Sequence, residues 1–172
     1  MNLPEKIVEI TRSFSEADVP YAIGGALALA YATEEPRGTR DIDVNVFISA
    51  ARCEEAFGAL PEGVRWSSAD VTQAKRDDQI RLWWDETPID LFFSAHEFHD
   101  QASTRAMRQE FLGSSIQVLA PVDLGVFKAL FDRRKDWVDI ETMIESRSTT
   151  GREIAAISPC CWAPMNPESN DF

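Results

Sequence analysis

Apolar residues along this chain recur with two periods, and the changes from one to the other mark its elements. Ile7, Val8, Ile10 and Phe14 fall at helical spacing behind Pro4, so residues 3–16 read as a helix. Residues 19–23 form a short apolar run, Gly24-Gly25 breaks it, and residues 26–32 are small and helix-favouring. The order is strand, glycine turn, short helix. Pro36 and Gly38 mark a loop. Residues 41–48 then alternate as a strand, with Ile42, Val44 and Val46 on one face and Asp41, Asp43 and Asn45 on the other.

A helix over about residues 50–60 is stopped by Pro61 and Gly63. Residues 79–84 and 89–93 read as strands around the turn Asp85-Glu86-Thr87-Pro88. Residues 97–108 look helical, and residues 110–120 carry two short strand-like runs around Gly113. Residues 121–131 and 134–146 read as two helices, the first opening on Pro121. From Ser148 onward no period is sustained. Only the Ile154/Ile157 pair and Trp162 offer that tail a way to dock, and it is otherwise expected to be loose. Helices and strands thus alternate in an α/β (α+β) chain without internal repeats. One domain is expected over residues 1–147, with a core at about 19–120, helices at about 121–147 and an irregular tail at 148–172.

Composition changes this picture little. At 172 residues, 44% hydrophobic and 27% charged, the chain is an ordinary globular one with a core of its own. Glu5 and Lys6 precede any apolar run, so no signal peptide is expected, and no stretch has the length of a membrane span. Three cysteines, Cys53, Cys160 and Cys161, lack metal-ligand spacing and point to a reducing cytoplasm. A net charge of −12 argues against broad coating of a nucleic-acid duplex. It leaves room for a polyanion held locally, because Arg37 and Arg40 sit near Asp41 and Arg133-Arg134-Lys135 form a second basic cluster.

The candidate chemistry begins at Gly24-Gly25. A turn without side chains before a helix lets a phosphate reach backbone N–H groups where the dipole favours anions, although a tight packed turn would use the same residues. Asp41 and Asp43 share one strand face and repel unless a cation lies between them; an edge strand's solvated face is the plainer explanation. Asp90 shifts that balance, because it interrupts the apolar run Pro88-Ile89-Asp90-Leu91-Phe92-Phe93, where a carboxylate is costly unless paired or coordinated. Three carboxylates on neighbouring strands suit two magnesium ions about 3.5–4 Å apart, with phosphate oxygens completing the shell. Other features are weaker. His96 and His99 lack further ligands and read as helix-surface residues, and one of Trp83 and Trp84 should face the core. Cys160 and Cys161 have no nucleophile's partner.

Taken together, Gly24-Gly25, Arg37-Gly38-Thr39-Arg40-Asp41-Ile42-Asp43-Val44 and Ile89-Asp90-Leu91-Phe92 resemble the nucleotidyltransferase superfamily built on the DNA polymerase β-like core. Val126-Phe127-Lys128-Ala129-Leu130, followed by Arg133-Arg134-Lys135-Asp136-Trp137-Val138-Asp139-Ile140, is similar to the AbiE-type branch, in particular to mycobacterial Men-type toxins of toxin–antitoxin pairs. The likeness runs over about residues 19–146. It implies a small mixed sheet flanked by helices. Gly24 and Gly25 would contact the triphosphate of an NTP, Asp41 and Asp43 would hold Mg2+, and Asp90 would complete the two-ion site and help deprotonate the attacking hydroxyl. Lys128 and Lys135 would neutralise phosphate charge, while Asp136 and Asp139 orient them or line the nucleotide pocket. Arg37 and Arg40 would hold phosphates or an RNA end, or pair with Asp41 and Asp43 when no metal is bound. Thr39 stands two residues before the first metal aspartate, where some Men-type toxins are phosphorylated by kinase-like antitoxins; a turn residue would fit there equally.

The activity so implied is transfer of a nucleoside monophosphate, CMP or another pyrimidine, to the 3′ end of tRNA, which blocks aminoacylation and translation. A cognate antitoxin and the tRNA acceptor end are the expected partners, a membrane is not, and a homodimer is left open. Two alternatives stay beside this reading: a small-molecule nucleotidyltransferase of the antibiotic-modifying type, and a non-catalytic binding partner with a nucleotidyltransferase-like core.

Overall fold

A computed structural model of the chain describes residues 1–157. The elements run α1 (Leu3–Glu16), β1 (Tyr21–Ile23), α2 (Gly25–Thr33), β2 (Ile42–Ser49), a single 3-10 turn (Ala50–Arg52) and α3 (Cys53–Ala59). They continue with β3 (Val64–Arg65), α4 (Ser68–Asp77), β4 (Gln79–Trp84), β5 (Thr87–Ser94), α5 (Glu97–Arg105), β6 (Met107–Phe111) and β7 (Ser114–Val118), and close with α6 (Pro121–Phe131), α7 (Arg134–Glu145) and α8 (Gly151–Ile157).

The seven strands form one mixed sheet in the order β3-β4-β5-β2-β1-β7-β6. β2 runs parallel to β5 and β1 parallel to β7, while the other pairs are antiparallel. Period-2 alternation gives the sheet two unlike faces. On one face Ile42, Val44, Ile89, Leu91 and Phe93 are fully buried, and Phe57 of α3 meets Phe93 at 6.2 Å between ring centres. α1 backs α3 and β7 with Ile7, Ile10 and Phe14. The opposite face bears Asp43, Asn45, Asp90 and Phe92, and is roofed by α2, α6 and α7. The roof leaves a cavity over it.

Most sequence expectations hold to within a residue or two, and four need correction. β3 and α4 were not foreseen: in α4 only Ala69, Val71 and Ala74 are apolar, but Asp70 accepts from the backbone N–H and hydroxyl of Ser67 at 2.8 and 2.7 Å, and so fixes its start. α5 ends at Arg105, and residues 107–108, expected to be helical, open β6 and pair with Val118 and Gln117. The tail is not irregular from Ser148, since α8 forms there behind a Thr150–Glu153 capping pair. Its Ile154 is buried where Gly125 leaves room, and Met143 lines the same contact. That is the docking expected of Ile154; Cys160, Cys161 and Trp162 lie outside the described residues. His99, finally, is not on a helix surface. It is buried against Phe98 and Phe127, and burial lowers its imidazole below the ordinary range. Trp84 is the buried member of the tryptophan pair and Trp83 the exposed one.

Candidate active site

The parallel pairing of β2 with β5 sets Asp43 directly beside Asp90, and the antiparallel pairing of β4 with β5 sets Arg81 on the other side of Asp90. Asp41 precedes β2 on the same face. One oxygen from each of Asp41, Asp43 and Asp90 lies within 4.8 Å of the other two. Burial above all, and then the charges of Asp41 and Asp90, push the Asp43 carboxyl up to about 6, against the opposing pull of Lys128 and Lys135. A carboxylate held this far up is a group short of positive charge.

The glycine pair belongs to the same construction. Gly24 donates its N–H to the Asp43 carbonyl at 2.9 Å, and a Cβ on it would stand 2.7 Å from Asn45 Nδ2. Gly25, at φ +54°, begins α2, and a Cβ there would collide with the Asp43 carboxylate. Two glycines let the helix N-terminus come down onto the carboxylates. A hard divalent cation fits this donor set of three carboxylates with a shortage of positive charge at its centre.

The roof supplies cations. Lys128 of α6 is buried, with Nζ 2.6 Å from Asp139 Oδ2 and 3.7 Å from Asp136 Oδ1. Asp139 also takes Arg37 through its other oxygen at 2.5 Å, and Asp136 takes Arg133 at 2.6 Å. Burial raises the Asp136 carboxyl, but the hydrogen bond and charge of Arg133, with the charge of Lys128, hold it below the ordinary carboxylate range. Asp136 and Asp139 therefore fix the basic side chains around the cavity.

The cavity measures about 630 Å³ and is lined by Gly25, Arg37, Thr39, Asp41, Asp43, Asp90, Lys128, Lys135, Asp136 and Asp139, so the structure gathers ten of the expected residues into one place. Thr39 donates its hydroxyl to the Asp41 carboxylate. Gly24 lies just beneath the lining. Arg40 does not join it: its side chain is exposed and does not line the cavity. Nor do Arg37 and Arg40 pair with Asp41 and Asp43. That place is taken by Arg81, whose guanidinium bonds both oxygens of Asp90 at 2.7 and 2.6 Å and stands 4.0 Å from Asp41. The sequence expectations missed Arg81, together with Gln79, Phe92 and Phe131 on the same flank and Asn45 at the cavity floor. The expected turn over residues 85–88 hid Arg81, because the actual hairpin register is two residues away and pairs it with Asp90.

No family profile matches the sequence, and no curated protein does. Solved structures do. ANT(2'')-Ia in complex with adenylyl-2''-tobramycin superposes with a TM-score of 0.58 at 15% identity, over 90% of this chain and 94% of that one. The lincosamide antibiotic adenylyltransferase LnuA, bound to lincomycin, gives 0.55 at 14% identity, over 83% and 96%. An antigenic nucleotidyltransferase-like protein from Paracoccidioides brasiliensis gives 0.54 at 17% identity, over 90% and 84%. Among the described residues no helix is long and apolar enough to cross a membrane. With its mixed sheet, its glycine-led helix and these neighbours, the chain has the fold of the nucleotidyltransferases.

Proposed function

We propose that the chain is a magnesium-dependent nucleotidyltransferase that moves a nucleoside monophosphate from an NTP to the 3′ acceptor end of tRNA, as the cytoplasmic toxin of a toxin–antitoxin pair. One observation carries the choice of acceptor. On the flank beyond Asp90 the cavity presents the cations Arg81 and Arg133 and the rings of Phe92 and Phe131, which meet at 5.3 Å. The carboxylate on that flank, Asp77, is engaged by Arg76 through two hydrogen bonds of 2.7 Å. An unpaired RNA end brings phosphates to the arginines and flat bases to the rings. A cationic amino sugar would find few free acceptors there, since Asp77, Asp90 and Asp136 are each engaged by an arginine.

When bound, two magnesium ions held by Asp41, Asp43 and Asp90 would activate the acceptor hydroxyl and stabilise the leaving oxygen. The N-terminus of α2 turns its N–H dipoles toward the phosphates. Lys128, fixed by Asp139, and Lys135 face the charge of the departing pyrophosphate. Asp90 receives the hydroxyl proton as that oxygen bonds the α-phosphorus and the bond to pyrophosphate breaks. Control by a kinase-like antitoxin suits Thr39, because a phosphate there adds about −1.5 to −2 charges beside Asp41 and repels the nucleotide.

The test incubates purified protein and magnesium with total tRNA, a lincosamide or an aminoglycoside, and each labelled NTP in turn, beside Asp41→Ala and Asp43→Ala. Label on tRNA, with CTP as the preferred donor and lost in both variants, is the expected result. Label on the drugs alone, or on nothing, overturns the proposal.

A further inference from the structure

Among the described residues, Arg81 is the only basic side chain within 4.0 Å of the three central carboxylates. It holds Asp90 by the two-pronged geometry that makes guanidinium–carboxylate pairs strong, and the mutual pairing raises the arginine's own affinity for its proton. Yet its side chain is 52% exposed, whereas that of Asp90 is 16% exposed. A guanidinium at the mouth of a cavity has somewhere to go. The carboxylate does not.

A divalent cation shared by Asp41, Asp43 and Asp90 needs oxygens from a cluster only 4.8 Å across, and Arg81 stands against two of the three carboxylates. Guanidinium and metal would then lie within a few ångströms of each other, with like charge in a partly desolvated place. Cross-strand register settles where the arginine can turn. Gln79 and Arg81 lie on the same side of β4, next to Phe92 and Asp90 respectively, so the space open to the Arg81 side chain includes the flank lined by Gln79, Phe92 and Phe131.

We propose that Arg81 is a positioning residue exchanged between Asp90 and a phosphate of the acceptor RNA, so that metal binding releases the cation that receives the acceptor. The proposal rests on the metal-dependent, RNA-directed reading above and adds a coupling to it: metal and acceptor each favour the other's binding, through one side chain.

The experiment uses the full chain stripped with EDTA and titrated with Mn2+ in the absence of nucleotide, as wild type, Arg81→Gln, Arg81→Lys, Arg133→Gln and Asp41→Ala. Without a salt bridge to break, Arg81→Gln binds Mn2+ about tenfold more tightly than wild type. Arg81→Lys, which keeps the charge and loses the two-pronged bond, falls between them. Arg133→Gln, which removes a cavity cation that bonds Asp136 and acts on Asp43 and Asp90 only at longer range, gains less than Arg81→Gln. The same proteins are then titrated with a labelled tRNA-derived hairpin carrying an unpaired 3′ end, with and without Mn2+. Mn2+ strengthens RNA binding by wild type, and Arg81→Gln loses that gain. Equal or weaker Mn2+ binding by Arg81→Gln, or the same RNA gain, overturns the role of Arg81 while the active-site reading stands. No Mn2+ binding by wild type, or binding that Asp41→Ala retains, overturns both.

Discussion

At Asp43, burial and two neighbouring carboxylates act in one direction, and the consequence is measurable without any substrate. The folded protein holds this carboxyl at about 6 against an ordinary 3.8, so between those values the folded state binds a proton that the unfolded chain releases. The contribution favours folding below about pH 4 and is lost as pH rises through about 6. In EDTA, urea unfolding of wild type and Asp43→Asn should therefore diverge with pH. The variant gains on the order of 2–3 kcal/mol relative to wild type between pH 4 and pH 7, and parallel curves would show that Asp43 ionises freely. Saturating Mn2+ should remove the divergence by stabilising the ionised wild type. The carboxylates were legible in the sequence because a charge in an apolar run, or two on one strand face, announces an unusual cost. Arg81 was not, because an arginine in a polar–apolar alternation is ordinary until its partner is known. Arg40 misled for the opposite reason: adjacency to Asp41 in sequence does not bring it to the same face.

Between elements, small errors of register decide what meets what. A turn spanning residues 85–88 would set Trp84 against Ile89 and Arg81 against Phe92; the actual two-residue connection pairs Trp84 with Thr87 and Arg81 with Asp90. Period-2 patterns fix the face of a strand but not a slip of two, which only the turn can settle. The helices show a related limit. α1, α6 and α7 carry enough apolar residues to be read directly, whereas α4 and α8 depend on their caps and on what they dock against. α8 is held by Ile154, buried beside Gly125 and Met143. Ile154→Ala should cost about 2–4 kcal/mol in urea unfolding, by leaving that contact empty. Faster amide exchange confined to residues 151–157 and the facing side of α6 should accompany it. A loss under about 0.5 kcal/mol, the range of ordinary surface substitutions, would show that α8 contributes nothing to the roof of the cavity.

Across the described residues charge is divided unevenly, and the cavity gathers five cations among six carboxylates. The sequence alone gave the sum, −12, but not this division, because Arg37, Arg81, Lys128, Arg133 and Lys135 come together only through the packing of α6 and α7 over the sheet. The order of strands, glycine turn and closing helices was legible from local periodicity, whereas the nucleotidyltransferase fold was implied by the resemblance of the motifs around Gly24, Asp41 and Asp90. The acceptor flank was not legible, since it joins α4, β4, β5 and α6. On the proposed RNA-directed reading, this division predicts how an acceptor end is held. Arg81 and Arg133 line that flank and the net charge of −12 disfavours a duplex, so few counterions would be released on entry of an acceptor end. With a slope of about −0.7 per phosphate for a single strand, two or three contacts give a fall in log affinity of about 1.5–2 per decade of salt. Anisotropy titrations of a labelled 3′-end RNA at fixed Mn2+, from low to physiological salt, measure that slope directly. A value near −2 fits an enzyme that grips only the terminus. A slope steeper than about −4 would require about six or more phosphate contacts and therefore a basic track outside the cavity, and would refute acceptor-end binding as described.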